Sequence, residues 1–194
     1  MVAMIPEFPV LQTPRLGLRQ IVRADQPQIF LGLSDPQVTQ YYGIHYETLE
    51  STSAQMDWYE LMQRGGTGLW WGIHLAERPD VLIGTCGFYE WEQEHQCAEL
   101  GFWLLPAYAN QGLMRETCDA VLGYGFRHLQ LHRVQARAEP ANLASCRLLE
   151  RTGFQLEGIL RECERKQDRY VSLHCYSLLR TDAAAVVYLK EEPA

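Results

Sequence analysis

The residues from Cys97 to Glu116, CAELGFWLLPAYANQGLMRE, decide the fold of this chain. Within them, the apolar run Leu100–Leu105 has the composition of a short strand and stops at Pro106. The polar turn Asn110-Gln111-Gly112 follows, and a long helical pattern begins directly after it. A strand, a loop of small residues and a helix start in this order aim backbone N–H groups at an anion. The stretch therefore predicts a loop that binds the pyrophosphate of a nucleotide-like cofactor.

The patterns on either side predict a mixed α+β fold. Leu69–Ala76 and Val81–Trp91 are joined to Cys97–Leu105 by short turns, which predicts an antiparallel meander of three strands. Apolar residues recur at helical spacing over Gly112–Leu129, and His132–Ala138 is a strand pattern. The other predicted elements are a strand over Arg15–Val22, helices over Gln26–Leu33 (capped by Asp25), Gln37–Gly43, Ser53–Gln63 and Asn142–Arg151, and a final hairpin of Phe154–Leu160 and Tyr170–Leu179 around the charged run Arg161–Arg169. This order predicts a strongly twisted mixed sheet with helices on both faces.

Length and composition predict one domain over residues 1–194, with a core from 14 to 180 and a C-terminal tail over 181–194. The net charge of −7 argues against nucleic acid or an anionic membrane as partner and favours a cationic one. Six cysteines are scattered without a C-x-x-C pair, which favours reduced thiols in a cytoplasmic protein and predicts no metal site. The N-terminus lacks signal-peptide features, and no apolar run approaches the ~20 residues of a membrane span. Monomer and homodimer both remain open.

Four motifs then resemble a known family. They are Thr13-Pro14-Arg15-Leu16-Gly17-Leu18-Arg19, the strand Ala98–Leu104, the loop Gln111–Met114 with Glu116, and Asn142-x-x-Ser145-x-x-Leu148-x-x-Arg151-x-Gly153-Phe154. In order and at this spacing they resemble the GCN5-related N-acetyltransferases (GNAT family), in the subgroup similar to bacterial ribosomal-protein N-terminal alanine or serine acetyltransferases. The resemblance covers roughly Thr13 to Leu179 and implies the three-layer α/β/α GNAT fold.

The resemblance implies acetyl-CoA as cofactor and a bulge in the central strand that splays it from the parallel strand His132–Ala138. The pantetheine arm would pair with the freed strand edge, and the pyrophosphate would bind the loop N–H groups. The residues so implied in cofactor binding are Phe102, Trp103, Leu104, Asn110, Gln111, Gly112, Leu113, Met114, Arg115, Asn142 and Ser145.

The loop departs from the family pattern at three places. Ala109 replaces the usual glutamine or arginine, Asn110 stands where glycine is common, and Met114 replaces a small residue. Asparagine tolerates a positive φ better than most residues, so the turn remains possible. A further departure is Leu149, which stands where many family members carry a tyrosine general acid. The subgroup resemblance suggests Ser145 in that role, with a serine that only bonds local backbone as the alternative.

Two sites compete for the general base that an amine acceptor needs. Glu162, with Glu164 beside it, follows a strand and would overhang the acceptor cleft, but the same charged run also fits a solvated turn. Glu99 lies between apolar Ala98 and Leu100, where burial would make it a better proton acceptor unless an arginine pairs with it. We prefer Glu162, and a water-mediated path also remains open.

The sequence therefore predicts an acetyl-CoA-dependent N-acetyltransferase acting on a primary amine. The first expected acceptor is a basic protein N-terminus, for example a ribosomal one, which suits the negative net charge. A polyamine or an aminoglycoside fits that charge as well. A non-catalytic acyl-CoA-binding module is the alternative from another class, because the tyrosine acid is missing.

Overall fold

The computed structural model describes residues 8–166 and 168–190, and these form an eight-stranded mixed sheet in the order β1-β2-β3-β4-β5-β6-β8-β7. The strands are β1 Leu11–Gln12, β2 Leu16–Gln20, β3 Leu69–Leu75, β4 Leu82–Glu92, β5 Cys97–Leu104, β6 Arg133–Ala138, β7 Gln155–Lys166 and β8 Arg169–Leu179. The helices are α1 Gln26–Leu33, α2 Pro36–Thr39, α3 Ser53–Gly65, α4 Leu113–Arg127, α5 Leu143–Arg151 and α6 Val186–Leu189. Among these helices none is long and apolar enough to cross a membrane.

The predicted three-layer architecture is confirmed by two separate cores. On one face of the sheet, α1 and α3 bury Ile29, Leu33 and Met56 against strand residues. On the other face, α4, α5 and α6 bury a larger cluster that includes Val121 and Tyr188. We call these two surfaces the α1–α3 face and the α4–α5 face of the sheet. The segment after residue 180 thus reaches the second core through α6.

The central strands splay as expected. Strands β3, β4 and β5 form the predicted antiparallel meander. Strand β5 then pairs with β6 in parallel, but only through Cys97–Glu99. Its second half, Leu100–Leu104, has no strand on that side among the described residues. An open notch therefore separates the ends of β5 and β6.

The bulge beside this notch lies in a different strand from the predicted one. Glu90 and Trp91 of β4 together face Ala98 of β5, so the extra residue belongs to β4. Within this insertion Glu90 adopts a left-handed φ of 48°. The register between β4 and β5 continues without interruption from Glu99 to Leu104.

Two local predictions were wrong. The charged run is not a turn, because β7 continues to Lys166 and β8 begins at Arg169, with residue 167 outside the described residues. Asp25 precedes α1 but does not cap it. Its carboxylate instead accepts two hydrogen bonds from Arg19, both at 2.8 Å, and one from the Val22 N–H. Arginine is the stronger partner because it binds a carboxylate through two parallel hydrogen bonds.

Candidate active site

The loop before α4 has left-handed residues and unpaired backbone N–H groups. Asn110 and Gly112 both adopt left-handed conformations, with φ of 60° and 76°. Among the described residues, no acceptor bonds the backbone N–H groups of residues 110–115; the first paired donor is Glu116, to Gly112 O at 3.1 Å. Unpaired N–H groups at a helix start attract negative charge. The predicted cofactor residues Asn110, Gln111, Gly112 and Arg115 are exposed here, whereas Leu113 and Met114 pack inward.

An arginine clamp holds this loop from the other end of the chain. Arg15 donates to Glu116 through Nε at 2.6 Å and to Gln111 O through Nη1 at 3.0 Å. Thr13 Oγ1 donates to the same carboxylate at 2.6 Å. Burial opposes ionisation of Glu116, but the hydrogen bonds from Thr13 and Arg15 outweigh it and hold its pKa below the usual range. We call Thr13, Arg15 and Glu116 the loop clamp; the sequence motifs contained these residues but not their contact.

Of the three cofactor-binding residues predicted on the free edge of β5, Trp103 offers its backbone and not its side chain. Phe102 and Leu104 are half-buried and pack on the α4–α5 core. Trp103 is buried on the opposite face, where its ring lies so close to Gly32 that a Cβ there would come within 2.3 Å. A cofactor at this edge would therefore meet the peptide groups of Trp103 and not its indole.

Helix α5 brings a free hydroxyl to the notch side of β6. Asn142 caps the helix, as predicted, by accepting the Ser145 N–H at 3.2 Å. The Ser145 hydroxyl itself has no hydrogen-bond partner among the described residues, and the side chain is only half-buried. The alternative, a serine that bonds local backbone, is thus not what this geometry shows. The hydroxyl is free to donate a proton to a ligand.

Glu99 is paired with an arginine, which was the alternative to a role as the general base. The carboxylate, buried in β5, accepts Arg137 Nε at 2.9 Å and Nη2 at 2.6 Å. Tyr89 donates to its other oxygen. Burial, together with the adjacent Glu99 charge, raises the pKa of Tyr89 well above its usual value, so Tyr89 stays a donor. Glu99 and Arg137 join β5 to β6 just where the notch opens, and both oxygens of the Glu99 carboxylate accept hydrogen bonds from protein groups.

Glu162 lies in an exposed irregularity of β7. Three residues, Arg161–Cys163, face Ser172 alone, and Glu162 takes a left-handed φ of 50°. Its N–H donates to Ser172 Oγ at 3.0 Å, while its carboxylate has no partner among the described residues. Glu164 is likewise exposed on this strand. The sequence placed both carboxylates after a strand, and the structure places them within one.

A third carboxylate near the notch was missed. Glu139 is buried at the end of β6, and Lys166 from the hairpin tip pairs with it. The same ammonium also donates to Gln40 O, after α2, at 3.0 Å. The tip of the β7–β8 hairpin is thereby attached to the end of β6 and to the segment after α2. No short-range pattern connects Lys166 with a residue 27 positions earlier, so the sequence carried no signal for this contact.

A splayed parallel strand pair beside a helix start with unpaired N–H groups forms a site that suits an anionic, nucleotide-linked ligand. The family comparison gives the particular class: the acetyltransferase (GNAT) domain matches residues 15–155. The chain belongs to the GNAT family of acetyl-CoA-dependent N-acetyltransferases. It is 36% identical to the uncharacterized N-acetyltransferase YoaA of Bacillus subtilis, over 89% of this chain and 98% of that protein. It is 29% identical to the ribosomal-protein-serine acetyltransferase of Escherichia coli, over 54% of this chain and 59% of that one.

Solved structures share the fold over nearly the whole chain. A GNAT-family acetyltransferase from Bacillus anthracis superposes with a TM-score of 0.78 at 26% identity, covering 90% of this chain and 100% of that one. Spermidine N-acetyltransferase from Vibrio cholerae, in complex with CoA and spermine, gives 0.78 at 23% identity, covering 92% and 100%. The enzyme class and acetyl-CoA as donor are thus shown, as the sequence predicted.

Proposed function

We propose that this enzyme acetylates the α-amino group of a protein N-terminus, in a ternary complex with acetyl-CoA. The neutral amine attacks the thioester carbonyl carbon, the carbon–sulfur bond breaks, and the sulfur leaves as the CoA thiolate. Ser145 donates a proton to that thiolate, a role its unpaired hydroxyl supports, and regains a proton from water. The proton lost by the amine passes to Glu162 or to water, since Arg137 and Tyr89 already occupy Glu99.

We choose the acceptor from the ion pairing of the buried carboxylates. Among the described residues, the buried acids are Asp25, Glu99 and Glu139. Each has a cationic partner within 2.8 Å, namely Arg19, Arg137 and Lys166. A polyamine carries several ammonium groups and needs unpaired carboxylates to replace their hydration. An N-terminus brings only the reacting amine into the site, so it fits a notch whose buried charges are already balanced and whose unpaired carboxylate, Glu162, is exposed and left to accept the proton of the amine.

The ribosomal-protein-serine acetyltransferase of Escherichia coli is consistent with this acceptor class, as its name describes a modified protein serine. We further infer a cytoplasmic setting, because all six cysteines are free in the structure and acetyl-CoA is the donor.

An acceptor screen tests the proposal. The protein and acetyl-CoA are mixed with a peptide that has a free N-terminus, with the same peptide blocked at its N-terminus but containing lysine, with spermidine and with an aminoglycoside. Release of free CoA is followed with a thiol reagent, and the acetylated position is mapped by mass spectrometry. We expect turnover with the free peptide and none with the blocked one. Turnover with spermidine or the aminoglycoside alone would refute the choice of acceptor and leave the acetyltransferase class intact.

A further inference from the structure

Among the buried side chains of the α1–α3 face, three besides Trp70 have polar atoms without a hydrogen-bond partner among the described residues. They are the Tyr59 hydroxyl on α3, the Thr85 hydroxyl on β4 and the Trp103 indole N–H on β5. Their residues are only 6%, 0% and 5% exposed. Thr85 and Trp103 are direct cross-strand neighbours. We call these three residues the donor cluster.

The third member, Tyr59, packs in the same buried cluster as Trp103. Burial raises the pKa of Tyr59, and nearby Thr85, Gln55 and Trp103 offset part of that rise, so these groups surround its hydroxyl. None of them reaches hydrogen-bond geometry with it. Gln55 Oε1 already accepts the Tyr46 hydroxyl, at 3.3 Å. The buried polar atoms therefore converge without satisfying one another, which is unfavourable unless another atom enters.

The chemistry of the cluster selects that atom. An indole N–H only donates, and the tyrosine and threonine hydroxyls can both donate. The complementary group is a hydrogen-bond acceptor, such as a carbonyl oxygen, and not an ammonium. Since the cluster contains no charged side chain, it suits a neutral oxygen.

The position of the cluster connects it with the acceptor. Trp103 lies in the half of β5 that has left β6, the same segment at which the thioester is expected. An α-amino group that attacks there has its own residue's carbonyl two bonds away along the chain. Spermidine has no oxygen atom, so it could not occupy the cluster.

We propose that the donor cluster binds the first carbonyl oxygen of the acceptor and so selects an aminoacyl amine over an alkylamine. The assignment rests on the function proposed above. Tyr42 and Tyr46, from the segment between α2 and α3, pack over this face, so that segment must move for the oxygen to enter.

Steady-state kinetics with a matched pair of acceptors test the proposal. One is a short peptide with a free N-terminus, and the other is its analogue with a methylene in place of the first carbonyl. The variants Thr85→Val and Tyr59→Phe each remove one hydroxyl and keep the shape. Losing one neutral hydrogen bond should raise KM for the peptide about fivefold to tenfold. The KM for the analogue and for acetyl-CoA should not change.

Thr117→Val is the control, because Thr117 has another buried and unpaired hydroxyl but lies on α4, at the opposite face. It should leave all three KM values unchanged. If Thr85→Val and Tyr59→Phe behave like the control while the peptide is acetylated, the cluster holds only internal water and the proposal falls. Equal kcat/KM for peptide and analogue in the wild type would also overturn it. Absence of turnover with every amine would instead reject the proposed function.

Discussion

Replacing Arg15 with alanine should weaken acetyl-CoA binding while leaving the fold intact. Arg15 joins the first motif of the chain to the cofactor loop through Glu116 and the Gln111 carbonyl. Its guanidinium also lies beside Gly112, with Nη2 3.6 Å from where a Cβ would stand. The substitution would release the loop and remove a positive charge next to the unpaired N–H groups.

The expected loss in free energy of CoA binding follows from the solvent exposure of the Arg15 and Glu116 side chains. The side chain of Arg15 is 50% exposed and that of Glu116 is 18% exposed, so the ion pair is partly screened and contributes about 0.2–1 kcal/mol. The bond to the Gln111 carbonyl adds about 1 kcal/mol at most. A combined loss of about 1 to 1.4 kcal/mol raises the Kd for CoA roughly fivefold to tenfold.

Isothermal titration with CoA gives the Kd, and a urea unfolding curve checks the fold. Arg23→Ala is the matched control, because Arg23 is also a 53% exposed, ion-paired arginine but pairs with Asp57 and Glu60. Glu116→Gln separates the two effects, since it weakens the clamp and keeps the charge of Arg15. If Arg15→Ala binds CoA as tightly as Arg23→Ala does, the clamp does not organise the loop.

Three further predictions concern the site. Ser145→Ala should lower kcat at least tenfold with an unchanged Kd for acetyl-CoA, and an unchanged kcat would remove Ser145 from proton transfer. Arg137→Leu should lower the free energy of unfolding by about 3 kcal/mol, because it leaves Glu99 charged and buried. Glu99→Gln should lower it less, since Arg137 is 36% exposed and can be hydrated. Equal urea midpoints for the two variants would contradict this. Because the pKa of Glu116 is lowered on folding, its stabilising contribution is present above the unfolded value near 4.3 and is lost as pH falls through the lower folded value. The fall in acid stability should therefore be shallower in Glu116→Gln than in the wild type.

Local chemistry made much of the fold readable from the sequence. Helix α1 has the predicted bounds, because Pro27 near its start and Ser34-Asp35-Pro36 after it are strong helix start and stop signals. The meander was readable because its turns are short. The sequence left the turn at Asn110 possible despite its departure from the family pattern, and Asn110 is left-handed in the structure.

Contacts between distant residues were not readable in the same way. The bulge was expected in β5 and lies in β4, because the register of a strand depends on both partners. Asp25 has a good capping side chain, yet Arg19 takes it. The loop clamp, the donor cluster and the contact of Lys166 with Glu139 each join segments far apart in the chain. The assignment of proton transfer to Ser145 and Glu162 stays a prediction.

The charged half of β7 has a consequence for solubility. β7 is the last strand of the described sheet, so its outer edge presents free peptide groups over a strand of 12 residues. An edge of this length invites other chains to add to it. Its exposed Ile159 and Leu160 would favour such growth, but the irregularity at Arg161–Cys163 interrupts the ladder, and the charges up to Lys166 repel an incoming strand. Charged residues that the sequence analysis considered for catalysis thus lie where charge disfavours edge-to-edge pairing.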